Sequence, residues 1–106
     1  MVPEVTPRDL AAELAGEAPP RIVDVREAHE FAFCRLPNAE LMPLGQIRAW
    51  AADLDPEADI VLMCHSGFRS GQAVVFLRSR GFRRVRNLRG GIDAWSVQVD
   101  LSVPRY

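Results

Sequence analysis

Residues 60–70 read Ile60-Val61-Leu62-Met63-Cys64-His65-Ser66-Gly67-Phe68-Arg69-Ser70. The change of character inside this stretch decides the fold. Ile60 to Met63 is the most apolar run of its length that turn-forming residues bound, and it reads as a buried strand. Cys64 to Arg69 is small and polar enough to be a loop. From Ser70 to Arg80 the apolar positions, Val74 and Leu77 among them, return at helical spacing, and Gly81 provides the stop. The unit is strand, loop, helix.

The same alternation extends in both directions. Upstream, Ile47, Trp50, Ala51 and Leu54 predict an amphipathic helix that ends before Pro56. Ile22-Val23-Asp24-Val25 is a β-branched run that predicts a second buried strand. Between them, Glu27 to Phe33 predicts a short helix, Leu36-Pro37-Asn38-Ala39 a turn, and Glu40 to Met42 a brief extended piece. At the amino end Thr6 is placed to cap a helix with Pro7 at its first position, Asp9 favourable to the dipole, and Leu10 and Leu14 on one face. That helix is expected to stop near Gly16 through a left-handed cap before Pro19-Pro20. Downstream, Arg83 to Leu88 predicts a strand, Gly90-Gly91 a turn and Ile92 to Val97 a final short helix. Strands alternating with helices imply an α/β domain whose mainly parallel sheet is covered on both faces by right-handed crossovers.

The composition agrees with that class. A chain of 106 residues, 48% hydrophobic and 25% charged, has the size of one domain spanning 1–106 and is neither disordered nor fibrous. The 13 basic residues are all arginine, and with 14 acidic residues they leave a formal charge of −1, which argues against nucleic-acid binding. Arg78, Arg80, Arg83, Arg84, Arg86 and Arg89 crowd one stretch, expected to be a solvated surface rather than a rim for an anionic partner. No apolar run approaches the roughly 20 residues a membrane span needs. Met1 to Pro7 does not resemble a signal peptide, so a cytoplasmic location is expected. Cys34 and Cys64 are then free thiols, and no cluster of His, Cys, Asp or Glu has the spacing of a metal site. No cofactor or metal is expected.

In open α/β folds ligands bind beyond the carboxyl ends of strands, and Cys64 stands at that point on the most apolar one. The loop after it, with Ser66 and Gly67, leads into a helix whose free N–H groups favour thiolate over thiol, and Arg69 adds a full positive charge. Cys64 is placed to be a nucleophile beside a cradle for an oxyanion or an anionic sulfur.

These residues resemble the rhodanese family of sulfurtransferases. Ile22-Val23-Asp24-Val25-Arg26-Glu27 is similar to the family's DVRE segment and Phe31 to Ala39 to its G-H-I-P-G-A region. Cys64 to Ser70 resembles the C-x-x-G-x-R-S active-site loop, and Gly90-Gly91-Ile92-Asp93-Ala94-Trp95 its GGIDAW segment. Four matches in the family's order cover almost the whole chain. The resemblance implies a rhodanese-like fold, a five-stranded mainly parallel sheet flanked by helices on both faces. It also implies a ping-pong transfer: Cys64 takes a sulfane sulfur from thiosulfate or a persulfide, becomes a persulfide itself, and passes the sulfur to a thiophilic acceptor such as a thiol or cyanide.

Cys64 and Arg69 are the expected catalytic residues. His65, Ser66, Gly67, Phe68, Ser70 and Arg26 are expected to bind substrate, with Asp24 as structural support. Cys34, Arg35 and Asn38 replace the family's usual Gly, His and Gly around Pro37, and Cys34 is expected to be a small packed residue. Trp50 and Trp95 are expected in or near the core. Glu30 stands where the two-domain thiosulfate enzymes carry an arginine, so a carboxylate there is expected to repel the thiosulfate dianion. The tail from Val99 to Tyr106 resembles that of rhodanese domains fused to adenylyltransferases, which hand sulfur to small carrier proteins. A relay to a thiol or a sulfur-carrier protein is therefore expected, with thiosulfate:cyanide exchange a weak side activity. Two other readings compete. Phosphatases and arsenate reductases of this fold hold five residues between cysteine and arginine, whereas Cys64 and Arg69 enclose four. Non-catalytic binding modules of the family often lack the cysteine that this chain retains.

Overall fold

The computed structural model describes residues 2–106. In chain order its elements are β1 (Glu4–Val5), α1 (Pro7–Leu14), β2 (Arg21–Asp24), α2 (Ala28–Phe33) and β3 (Glu40–Leu41). A 3-10 turn (Leu44–Gln46), α3 (Ile47–Ala51), β4 (Ile60–Met63), α4 (Phe68–Ser79), β5 (Val85–Leu88) and α5 (Gly91–Gln98) follow. The five strands form one sheet in the order β1-β5-β4-β2-β3, and every neighbouring pair is parallel.

β4 lies at the centre with all four residues buried, as a strand covered on both faces requires. Its side chains divide by the period of two. Val61 and Met63 join Leu10 of α1 and Ile92 and Trp95 of α5 on one face. Ile60 and Leu62 join Ala73, Val74 and Leu77 of α4, together with Ala51 of α3, on the other. Parallel pairing brings the carboxyl ends of β2, β4 and β5 to one edge, so Asp24, Met63 and Leu88 deliver their following loops to the same place.

The expected elements are present with shifted ends. α1 begins as expected, with Thr6 Oγ1 accepting from the Asp9 N–H at 3.1 Å. It closes differently: Ala15, with φ −83°, is the cap, and Gly16 is not in the left-handed region. α3 ends at Ala51, with Leu54 packed beyond it, because Ala52 to Leu54 turn tightly instead of continuing the helix. α4 starts two residues earlier than its apolar pattern indicates, since Gly67 at φ 104° turns the chain directly into it. β1 was not foreseen. Trp95 is in the core on the α1 and α5 face, and Trp50 packs against the opposite cluster while donating from Nε1 to the Pro43 carbonyl.

Four arginines of the arginine-rich stretch are tied to carboxylates: Arg83 pairs with Glu57, Arg84 with Asp59, Arg86 with Glu13 and Asp59, and Arg89 with Glu4. Arg83 and Arg84 precede β5, at the end of the sheet opposite Cys64, so they form no rim around it. Among the described residues no helix is long and apolar enough to cross a membrane, and no group of three or more His, Cys, Asp or Glu could hold a metal ion.

Candidate active site

Cys64 follows the last residue of β4 and is 1% exposed. Its Sγ accepts from the Gly67 N–H at 3.1 Å. That contact needs the loop to double back within three residues, which Gly67 permits because its φ of 104° is one that side-chain-bearing residues rarely adopt. The other wall of the loop comes from α5. The N–H groups of Ile92 and Asp93 donate to the carbonyls of Cys64 and His65 at 2.9 and 3.1 Å. A Cβ on Gly91 would collide with those two carbonyls, so the approach requires glycine there.

Ser70, fully buried on the first turns of α4, has its Oγ 3.3 Å from Cys64 Sγ and 2.5 Å from Asn87 Oδ1. Asn87 Nδ2 donates to the Gly67 carbonyl at 3.0 Å. Asn87 was not anticipated as a site residue, because its β5 position read only as part of a strand. His65 stacks on Tyr106 with ring centroids 4.2 Å apart and planes 14° apart. Ser66 is exposed, and Phe68 projects from the rim at 74% exposure.

Arg69 crosses the mouth of the loop to Glu30, with bonds of 2.7 and 3.0 Å to the two carboxylate oxygens. Glu30 also accepts the Glu27 N–H at 3.0 Å and the Tyr106 hydroxyl at 2.7 Å. Hydrogen bonding to Arg69, against the opposing effect of burial, holds the Glu30 carboxyl well below the usual carboxylate range. The same pair raises Arg69 further above the usual guanidinium value, and negative charge on Cys64 acts in the same direction. Burial pushes the Tyr106 phenol up to about 12, so it stays neutral and can donate to Glu30.

Asp24 and Arg26 lie beneath this mouth. Both are fully buried, and the Asp24 carboxylate takes the Arg26 backbone N–H, Nε and Nη2 at 2.7–3.1 Å. Arg26 Nη2 also donates to the Cys34 carbonyl at 2.6 Å and Nη1 to the Tyr106 hydroxyl at 2.9 Å. Burial opposes the charge on Arg26, yet the bonds to Asp24 and Tyr106 outweigh it and the guanidinium is raised. Enclosed in this way, Arg26 ties β2 to the α2 end and to the tail rather than opening to solvent. Ser70 likewise faces the sulfur rather than solvent. Cys34, 8% exposed, packs beside the Arg26 guanidinium.

Residues 6–98 match the rhodanese-like domain family. The chain belongs to that family. A relative from Allochromatium vinosum, named sulfurtransferase, is 38% identical over 96 residues, which cover 91% of this chain and 90% of its own. The putative sulfur carrier protein YrkF of Bacillus subtilis is 30% identical over 95 residues, 90% of this chain, and the chain spans about half (51%) of that relative's length. The solved structure of the human single-domain sulfurtransferase TSTD1 superposes with a TM-score of 0.81 at 26% identity, covering 92% of this chain and 98% of that one. A rhodanese-like assignment accounts for the parallel sheet and for a loop that carries cysteine at a strand end.

Proposed function

We propose that this chain moves a sulfane sulfur from a donor to a thiophilic acceptor through a persulfide on Cys64. The observation that carries the reading is the position of Cys64 Sγ at the foot of α4, bonded by the Gly67 N–H and 3.3 Å from the Ser70 hydroxyl, with Arg69 over the loop mouth. In the first half-reaction the Cys64 thiolate attacks the outer sulfur of the donor. A Cys64–sulfur bond forms, and the donor's sulfur–sulfur bond breaks with its electron pair leaving on a thiolate or on sulfite. In the second half, an acceptor thiol or cyanide attacks the outer sulfur of the persulfide, and the electron pair returns to Cys64 as thiolate. The helix N-terminus and Arg69 stabilise negative charge on the outer sulfur.

The Glu30 carboxylate bears on donor choice. It neutralises Arg69 in the resting site, so a dianion such as thiosulfate meets a compensated mouth, whereas a singly charged persulfide gives up less. The reading therefore favours a persulfide donor and a thiol or a small sulfur-carrier protein as acceptor, with thiosulfate:cyanide exchange slow. Phe68, exposed at the rim, is available to contact such an acceptor.

Intact-mass spectrometry after incubation with a low-molecular-weight persulfide, and separately with thiosulfate, tests the mechanism. One added sulfur is expected on the parent and on Cys34→Ser, and none on Cys64→Ser. Equal loss in both variants would replace the single-cysteine route with a relay between two thiols.

A further inference from the structure

Ser70 carries one hydroxyl proton and stands between two acceptors, Asn87 Oδ1 at 2.5 Å and Cys64 Sγ at 3.3 Å. Which one receives it follows from the orientation of the Asn87 amide. Its other end faces the Gly67 carbonyl at 3.0 Å and a Glu4 carboxylate oxygen at 3.5 Å, both acceptors, so that end is the NH2 group and Oδ1 points to Ser70. All three partners are buried, with Ser70 at 0%, Cys64 at 1% and Asn87 at 4% exposure. The short contact then holds the hydroxyl proton on Asn87, and a lone pair of Ser70 faces the sulfur.

We propose that Asn87 is a positioning residue that keeps the Ser70 proton away from Cys64, and so favours the persulfide over the bare thiolate. The inference rests on the reading of Cys64 as sulfur carrier. As a thiol, Cys64 donates its S–H to Ser70 Oγ while Ser70 donates to Asn87, and every proton is used. As a bare thiolate, the sulfur keeps the Gly67 N–H but gains Ser70 only if Ser70 abandons Asn87. In the persulfide the charge sits on the outer sulfur. The inner sulfur then has little demand for a donor, and the Ser70–Asn87 bond persists at no cost. Asn87 thus penalises one of the two states between which the enzyme cycles, drawing sulfur onto Cys64 and making the thiolate a poorer leaving group.

Two measurements test this on the full chain. The first is the pH profile of Cys64 alkylation by iodoacetamide, read by peptide mass so that Cys34 is counted separately. Asn87→Ala frees Ser70 for the thiolate, so its profile is expected to move about one pH unit lower, a tenfold effect. The move is expected to vanish in Asn87→Ala combined with Ser70→Ala. The charged and titratable groups around the loop, Arg69, Glu30, His65, Tyr106, Asp93 and Glu4, are retained in every variant.

Ser70→Ala alone decides the matter if Asn87→Ala does not fold. The proposal expects its profile not to rise: the thiolate has no Ser70 donor to lose, and the thiol loses its S–H acceptor, so any move is downward. A rise of about one unit would show Ser70 donating to the sulfur and overturn the proposal. The second measurement is the equilibrium ratio of persulfidated to free Cys64 against a low-molecular-weight persulfide, expected to fall about tenfold in Asn87→Ala. An unchanged ratio beside a shifted alkylation profile would overturn the persulfide preference, while no sulfur on Cys64 in any variant would instead refute the carrier reading itself.

Discussion

Two arginine–carboxylate pairs stand within one site and share Tyr106, yet they occupy opposite environments. Arg26–Asp24 is sealed, with both side chains at 0% exposure, while Arg69–Glu30 sits at the mouth with side chains 32% and 11% exposed. The contrast shows that the same pairing can be sealed into a fold or left open to solvent, according to whether water can reach it. Charges taken wholly out of water must stay paired, because an orphaned partner has no solvent to turn to. A pair at a mouth can open, since water can replace what each group loses while Glu30 keeps its bond from the Tyr106 hydroxyl.

The most severe way to break the contrast is Arg26→Ala, which strands the Asp24 carboxylate. It is expected to cost about 3–5 kcal/mol in denaturant unfolding, whereas Arg26→Met with Asp24→Leu is expected to recover most of that loss. Stability within 1 kcal/mol of the parent for Arg26→Ala alone would show that the buried pair is not what holds β2 to the tail.

Arg69→Ala is expected to do the reverse. Stability falls by less than about 1 kcal/mol, and sulfur transfer falls by one to two decades, equivalent to the ~1.5–3 kcal/mol of a charge-assisted contact. Transfer within twofold of the parent would remove Arg69 from the mechanism.

The smallest effect is expected from Glu30→Gln, which frees Arg69 and lowers the Michaelis constant for thiosulfate about fivefold, as ~1 kcal/mol of electrostatic gain implies. Its stability effect has a definite sign. Glu30 is held below its ordinary value of 4.5 in the folded protein. In the window below 4.5 the unfolded chain therefore binds more protons, and the Glu30 contribution, complete above that pH, fades as the pH falls through the folded value. The stability gap between the parent and Glu30→Gln is expected to narrow steadily in acid titrations from pH 5 to 3. A gap that stays constant over that range would show that Glu30 gains nothing from Arg69.

How much of this was visible in the sequence depends on separation along the chain. β4 and the loop that follows it were legible because strand, cysteine, glycine and arginine are consecutive, and their meaning depends on order alone. β1 was not, since two residues flanked by Pro3 and Pro7, one exposed, are too short to show a period. Glu30 drew notice for its charge, but its partner lies 39 residues away, and Ser70 and Asn87 are 17 apart. Tyr106 meets Arg26 across 80 positions. No spacing rule reaches that far, and only the assembled fold shows that Arg26 is enclosed.

The pairing of β1 with β5 also governs how this molecule comes into being. Glu4 sits opposite Asn87 and Val5 opposite Leu88, so β1 has no partner until residues 87 and 88 have been synthesised. Every strand pair is parallel, and none can form as a local hairpin. β2 and β4 can meet once residue 63 has emerged, whereas the amino terminus waits, and its docking is the late, long-range closure that slows folding in sheets of this kind. Because the Asn87 N–H donates to the Pro3 carbonyl and its Nδ2 to a Glu4 carboxylate oxygen, the sulfur's surroundings stay incomplete until β1 has docked on β5.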